Sequence, residues 1–410
     1  MRSLYLLAVA TLFASAAHAE PLTLADALNR ARTSAPGVTA KALQVEAARA
    51  AAIPAGALPD PKVSAGVTDF PISGPLAGRP DRDTFSMLSL GYSQDVPNRS
   101  KRRARVQAAQ ADIGAAQAGE AAEVRATEVA AGQAWVALYY AERKLAALDA
   151  LDAELAQEKA TAPARLASGG ARPAKALEPQ QMLAAVADRR EALRAQVLQA
   201  RANLERWIGP DPAVEPSSGP PDNDINAVAL RAGLDDLPAM QVASAKVRQA
   251  EAGAAEAKAD KQSDWGYDVQ YDHRNPQFGD YVSARLNFTL PVFAKTRQDP
   301  VIASRLAGVN AALAEQEAVR RELLAGLNDE LAEHVMHHAQ LAWARDVLIP
   351  LAKQRVDLET ASYRGGSASL TDVLAARRDE VEAELTALDL EAETAAHVVE
   401  LSLTYGSEPQ

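Results

Sequence analysis

Three of the chain's six histidines fall in one short stretch, Glu333-His334-Val335-Met336-His337-His338. His334 and His338, at i and i+4, share one face of a helix, and neutral imidazole is a common metal ligand. The spacing is not His-Glu-x-x-His, so a zinc protease is not indicated. The segment admits two readings: a polar helix face, or a weak transit site for metal ions using His334, His337 and His338. No glycine-rich phosphate loop follows a strand, and neither a nucleophile elbow nor a paired-carboxylate site with a fold to hold it is present. The chain has no cysteine, which excludes disulfides, thiolate ligands, a cysteine nucleophile and lipid attachment at an N-terminal cysteine. Neither an enzyme nor a bound cofactor is expected. The formal charge of -11 argues against a nucleic-acid partner, which calls for a basic footprint.

The elements that must carry these residues are written twice. Gly169-Gly170 and Gly365-Gly366 lie 196 residues apart, each interrupting an Ala/Leu-rich helical pattern. The same offset aligns Tyr92-Ser93-Gln94-Asp95-Val96 with Phe288-Thr289-Leu290-Pro291-Val292, the mark of an internal repeat. Residues 1–19 read as a signal peptide: Arg2, an apolar stretch from Leu4 to Ala17, then Ala17-His18-Ala19 as a cleavage site. No other apolar run reaches the roughly 20 residues of a membrane-spanning helix, so any membrane passage must use strands.

The first repeat, 20–208, begins with an amphipathic helical region over 22–58 broken near its start by Pro36. A β-hairpin over 62–96 follows, with Leu88, Leu90 and Tyr92 on one face and Ser89, Gly91 and Ser93 on the other. A long helical hairpin over 99–208 completes the repeat. Residues 209–223, rich in Pro, Ser and Asp, form a linker. The second repeat, 224–405, has its β-hairpin over 265–292 and its helical hairpin over 295–405, leaving 406–410 as a tail. Its return strand alternates most cleanly: Val282, Ala284, Leu286, Phe288 and Leu290 against Ser283, Arg285, Asn287 and Thr289. One face suits lipid and the other water. Tyr92, Trp265, Tyr267, Tyr271, Tyr281 and Phe288 are candidates for interfacial aromatic girdles, whereas Trp135 and Trp343 read as helix-packing residues. Pro163 and Pro350 are expected bends.

About 60 residues of helix reach roughly 90 Å, more than a compact domain needs. In the last helix Leu374, Val381, Leu388 and Ala395 recur every seven residues, which is coiled-coil spacing. Four strands cannot close a barrel, and open sheet edges are untenable in lipid, so several chains must pool their strands. Three copies give twelve, an even number suited to a water-filled barrel. The fold expected is mainly α with a small β part: long coiled-coil hairpins plus a four-strand contribution to a trimeric 12-stranded barrel. Arg99 to Arg105 begins a helix just below that barrel. Positive charge there opposes the helix dipole by about 0.3–1 kcal/mol per exposed residue. The run is therefore either a solvated first turn or one with a compensating contact, anionic headgroups among them.

The whole mature stretch resembles the TolC family of outer-membrane efflux channels. The most specific match is Tyr363-Arg364-Gly365-Gly366-Ser367-Ala368-Ser369-Leu370-Thr371-Asp372-Val373-Leu374, similar to that family's tip motif. Gln94-Asp95-Val96-Pro97-Asn98-Arg99-Ser100-Lys101-Arg102-Arg103-Ala104-Arg105 resembles the strand-to-helix junction of its heavy-metal exporters. The resemblance implies a passive homotrimeric channel in the outer membrane of a Gram-negative envelope, largely periplasmic. It is served by a periplasmic adaptor and an inner-membrane pump of the RND type, with heavy-metal cations preferred over organic compounds or proteins as cargo. It also implies a periplasmic gate at Asp372, with Tyr363; the first repeat departs from the family there, and Lys175, one residue before the position that the 196-residue offset aligns with Asp372, is read as a partner of Asp372 or Tyr363. The adaptor-docking tips fall at Arg165, Gly169, Gly170, Arg364, Gly365 and Gly366. A competing class is a periplasmic structural or adaptor coiled coil without a barrel. It leaves the alternation from Val282 to Leu290 unexplained.

Overall fold

A computed structural model describes residues 21–166, 178–210, 215–217, 219–221 and 225–406. In chain order the elements are β1 (Pro21–Leu22), α1 (Leu24–Ser34), α2 (Pro36–Ala52), β2 (Lys62–Thr68), β3 (Met87–Val96), α3 (Arg99–Leu166), α4 (Glu178–Ile208) and β4 (Glu215–Pro216). The second half supplies α5 (Ala227–Ala232), α6 (Pro238–Ala259), β5 (Asp264–His273), β6 (Tyr281–Thr289), α7 (Gln298–Trp343), α8 (Ile349–Arg364) and α9 (Leu370–Tyr405). No helix among the described residues is long and apolar enough to cross a membrane.

Two compact units emerge, and their bounds do not follow the repeat bounds expected from the sequence. The first gathers Met1–Val38, Arg125–Arg231 and Leu327–Gln410; the second gathers Thr39–Val124 and Ala232–Gly326. The second unit holds one four-stranded antiparallel sheet in the order β2-β3-β5-β6. Each predicted hairpin forms, and β3 pairing with β5 joins the two into one sheet.

The first unit is held by helix packing. Trp135 is wholly buried among Leu22, Leu28, Leu138, Leu204, Val399 and Leu403. Its indole Nε1 donates to the Leu22 carbonyl at 2.9 Å, satisfying the one polar atom that a buried Trp brings. This pins β1, which pairs in parallel with β4, so two residues of the linker stretch are ordered against the chain's start. Gly132 permits the close approach of α3 to α9: a Cβ there would lie 2.6 Å from Val399 Cγ1. The heptad series of α9 has the environment its spacing implies: Leu374 is buried in one cluster with Leu148, Val186 and Leu193, and Val381 packs against it.

Helix α3 continues through Pro163 without interruption over its 68 residues, so the proline does not end it. Pro350 does perturb its helix. A π turn over Ala344–Leu348 separates α7 from α8, and Pro350 sits in the first turn of α8, because a proline has no N–H to donate and clashes with the preceding turn. Trp343, immediately before that π turn, is 54% exposed. The packing expected of it is not made within this chain: its backbone is regular α-helix (φ -60°, ψ -42°), so the face of α7 it falls on, and not a local distortion, leaves it exposed.

Candidate functional site

The sheet of the second unit has two faces of opposite chemistry. Directly opposed residues share a face, and the register aligns Val63, Tyr92, Val269 and Ala284, then Ala65, Leu90, Tyr271 and Val282. Apolar side chains therefore run unbroken across all four strands. Leu88, Leu90, Val282, Leu286 and Phe288 are each more than half exposed, and Leu290, just beyond β6, is equally so. Tyr92 belongs to the same face at 40% exposure. Six exposed apolar side chains on one surface are far from what water favours. Gln94 falls in the same row but is buried, donating its amide to the Pro59 carbonyl at 2.7 Å, so its polarity is not presented.

The opposite face is polar and internally hydrogen-bonded. Thr68 and Ser89 hydroxyls lie 2.9 Å apart, and Ser89 Oγ donates to Asp272 Oδ1 at 2.6 Å. Gln270 Nε2 donates to the same oxygen at 2.7 Å, and Asn287 donates to Asp268. Tyr281 opposes Asp272 in the register and therefore leaves the aromatic row. Its ring lies under the Arg274 guanidinium, 3.9 Å away. Arg274 also donates to Thr84 and Gly279 carbonyls, tying together the two hairpin loops.

Where β3 meets α3 the basic run finds its partners. Asn98 caps the helix, its side-chain oxygen accepting from the Lys101 N–H at 2.8 Å. Lys101 Nζ then lies 2.7 Å from Asp260 and 3.2 Å from Asp264, and Arg105 Nε lies 3.1 Å from Glu256. Hydrogen bonding to Asp260 is the main cause that raises the Lys101 ammonium above its ordinary value, against the opposing effect of burial. The compensating contact is thus made within the chain for two of the five basic residues. Arg99, Arg102 and Arg103 instead line a cleft of about 500 Å³ with Gly56 and Val106.

In the first unit, α8 ends and α9 begins at the second glycine pair. Gly366 adopts φ +78°, a conformation costing a non-glycine residue about 1–2 kcal/mol. Its N–H donates to the Tyr363 carbonyl at 3.1 Å and the Ser367 N–H to the Ser362 carbonyl at 2.9 Å, the bonding of a Schellman turn. Asp372 is exposed and completes a capping box with Ser369. Its carboxylate accepts from the Ser369 N–H at 2.7 Å, while Ser369 Oγ accepts from the Asp372 N–H at 3.3 Å. Tyr363 and Arg364 close the preceding helix, Arg364 exposed. Gly169, Gly170 and Lys175 lie outside the described residues; Arg165 is within α3, but its side chain is not described.

The histidines do not group as their sequence proximity suggests. His334 and His338 have ring centroids 6.4 Å apart along one helix, but His337 faces another element, its ring 4.8 Å from that of His397 on α9. Glu330 and Glu333 join that pair. Burial, then the charge of Glu400, pushes the Glu330 carboxyl above the usual carboxylate range. His397, Glu330 and Glu400 were not legible as site residues, because the two helices meet only through tertiary packing 60 residues apart.

Residues 231–407 match the family model described as outer membrane efflux protein. No curated protein matches the chain by sequence. Among solved structures, a membrane protein from Pseudomonas aeruginosa superposes with TM-score 0.79 at 18% identity, covering 94% of this chain and 90% of that one. CusC superposes at 0.80 with 15% identity over 95% and 94% of the two chains. The outer membrane protein VceC from Vibrio cholerae gives 0.76 at 18% identity over 94% and 96%. The second half of the chain thus matches the outer membrane efflux protein family in sequence, and nearly the whole chain has the fold of solved outer-membrane channels.

Proposed function

We propose that the protein is the passive outer-membrane duct of a tripartite exporter. Three copies pool their four strands into a 12-stranded, water-filled barrel, and their helical hairpins continue the duct into the periplasm. One observation carries this reading: a sheet with a continuous apolar face, a hydrogen-bonded polar face and two outer edges, β2 and β6, that pair with no strand among the described residues. In lipid such edges must be satisfied by another chain. The polar face then lines water and Leu88, Leu90, Tyr92, Val282, Leu286, Phe288 and Leu290 meet lipid.

At the periplasmic end, the Gly365-Gly366 turn with Arg364, and Gly169-Gly170 with Arg165, dock a periplasmic adaptor that delivers cargo from an inner-membrane RND-type pump. Asp372 forms a ring of carboxylates on the channel axis, held closed with Tyr363 and Lys175. Like charges converging there attract cations and repel one another. Heavy-metal cations are the cargo, supported by the resemblance of Gln94 to Arg105 to the junction of metal exporters. The test is two-fold. The protein should fractionate with outer membranes and form channels in planar bilayers; recovery in the soluble periplasm would end the reading. Deletion of the gene should sensitise cells to metal ions, and sensitivity restricted to dyes would reverse the choice of cargo.

A further inference from the structure

Within the first unit, α7 and α9 carry matching stripes of carboxylate and imidazole side chains. Glu330, Glu333 and His337 recur at three- and four-residue spacing on α7, as do Glu393, His397 and Glu400 on α9, so each trio occupies one helix face. The stripes meet. His397 lies between two carboxylates, with Nδ1 3.0 Å from Glu330 and Nε2 3.2 Å from Glu333. His337 Nδ1 lies 3.5 Å from Glu393, and one ligand atom each from Glu333, His337 and His397 fall within 4.8 Å of one another.

The plain alternative is a set of ion pairs between protonated imidazoles and carboxylates. It fits the geometry poorly, because the His337 and His397 side chains are only 14% and 17% exposed and their Nδ1 atoms are buried without the aligned hydrogen bond that a charged pair would make. A cation between the rings would use neutral imidazole and offset the surplus of carboxylates. We propose that Glu333, His337 and His397 bind a divalent transition cation of the zinc class at the seam of α7 and α9. The mixed nitrogen and oxygen donor set suits that class. Glu330 lies 3.0 Å from the far nitrogen of His397, placed to accept its N–H and fix the tautomer once the ring turns to ligate. A tetrahedral ion with bonds of about 2.0–2.1 Å holds its ligands about 3.4 Å apart, so modest side-chain rotation closes the site. Three protein ligands leave one position for water, which suits an ion that exchanges.

The site stands or falls independently of channel activity, because binding is read on the purified protein. The full mature chain, purified without a histidine tag and stripped with chelator, is titrated with zinc chloride by calorimetry and with cobalt chloride by visible absorption. One ion per chain is expected, with the cobalt spectrum of a tetrahedral site and a rise in thermal midpoint. His397→Ala, His337→Gln and Glu333→Gln should each weaken zinc binding at least about 10-fold, and Glu330→Gln by about 10-fold. The double variant His334→Ala/His338→Ala should bind as the parent does. Variants that keep the parent's metal-free midpoint are the ones scored, and the conservative Gln changes secure this if His397→Ala does not fold. No binding above buffer, undiminished binding in His337→Gln and Glu333→Gln, or equal loss in the His334/His338 double variant would each overturn the assignment.

Discussion

The Asp372 carboxylate accepts from the Ser369 N–H at 2.7 Å, so any charge it lends to a pore is charge already employed in a helix cap. The two roles separate by substitution. Ser369→Ala and Asp372→Ala each remove half of the capping box, worth about 0.5–2 kcal/mol of local stability, but only Asp372→Ala removes the carboxylate. If Asp372 gates, single-channel conductance in planar bilayers rises in Asp372→Ala and Lys175→Ala and stays at the parent's value in Ser369→Ala. Unchanged conductance in both of the first two leaves Asp372 with the cap alone. Gly366 presents a simpler case: at φ +78° an added Cβ costs about 1–2 kcal/mol, so Gly366→Ala should lower the thermal midpoint where Gly365→Ala, in right-handed backbone, has a smaller effect. The glycine turn and the capping residue are legible in the sequence because both are local, set within a few residues by backbone sterics and one hydrogen bond. The partners of His337 and Lys101 are not, because His397 and Asp260 come to them through helices far apart in the chain.

The strands illustrate how far alternation carries. Period-two patterning placed all four strands of the sheet, and it assigned Leu286 and Arg285 to opposite faces, as the register does. Residue type grouped Tyr281 with the girdle aromatics, but its parity with Ser283 and its pairing with Asp272 put it on the polar face, where the ring meets Arg274; alternation was the better guide there than aromatic character. The two faces predict different phenotypes for one chemical change. Ala284→Arg, mid-strand on the apolar face, should cost about 2–4 kcal/mol in a bilayer and abolish recovery in the outer membrane. Asn287→Arg on the polar face should leave recovery intact and alter ion selectivity instead. Equal membrane recovery of the two would remove the lipid-facing assignment. At the junction of β3 and α3, Lys101 is held between Asp260 and Asp264. Its ammonium is raised above the ordinary 10.5, so its stabilisation is complete below that pH and is lost as pH climbs through the raised value. The deficit in thermal midpoint of Lys101→Met should therefore be constant from neutral pH to about 10 and shrink above the ordinary lysine pKa. A deficit that persisted with Asp260 and Asp264 both replaced would trace instead to packing of the lysine stem.

At the scale of the molecule, direction and edge chemistry constrain assembly. Strand directions alternate across β2-β3-β5-β6, so β6 of one copy set beside β2 of the next continues the antiparallel order without a break. A head-to-tail contact of that kind forms a closed ring or an open array, and only the ring leaves no unpaired edge in lipid. Three copies give the even count of twelve that a water-filled barrel accepts. The cysteine-free chain makes the arrangement testable without background. Ala65→Cys in β2 is combined in turn with Val282→Cys, Ala284→Cys and Leu286→Cys in β6, all on the apolar face, and membranes are oxidised before non-reducing electrophoresis. Directly opposed side chains across an antiparallel pair have Cβ atoms about 4.5–5.5 Å apart, near the range a disulfide tolerates. At least one combination should therefore give a covalent ladder ending at three chains, while each single cysteine gives none. A ladder ending at two or at four chains, or no cross-link in any combination, would exclude the trimeric barrel formed through these edges.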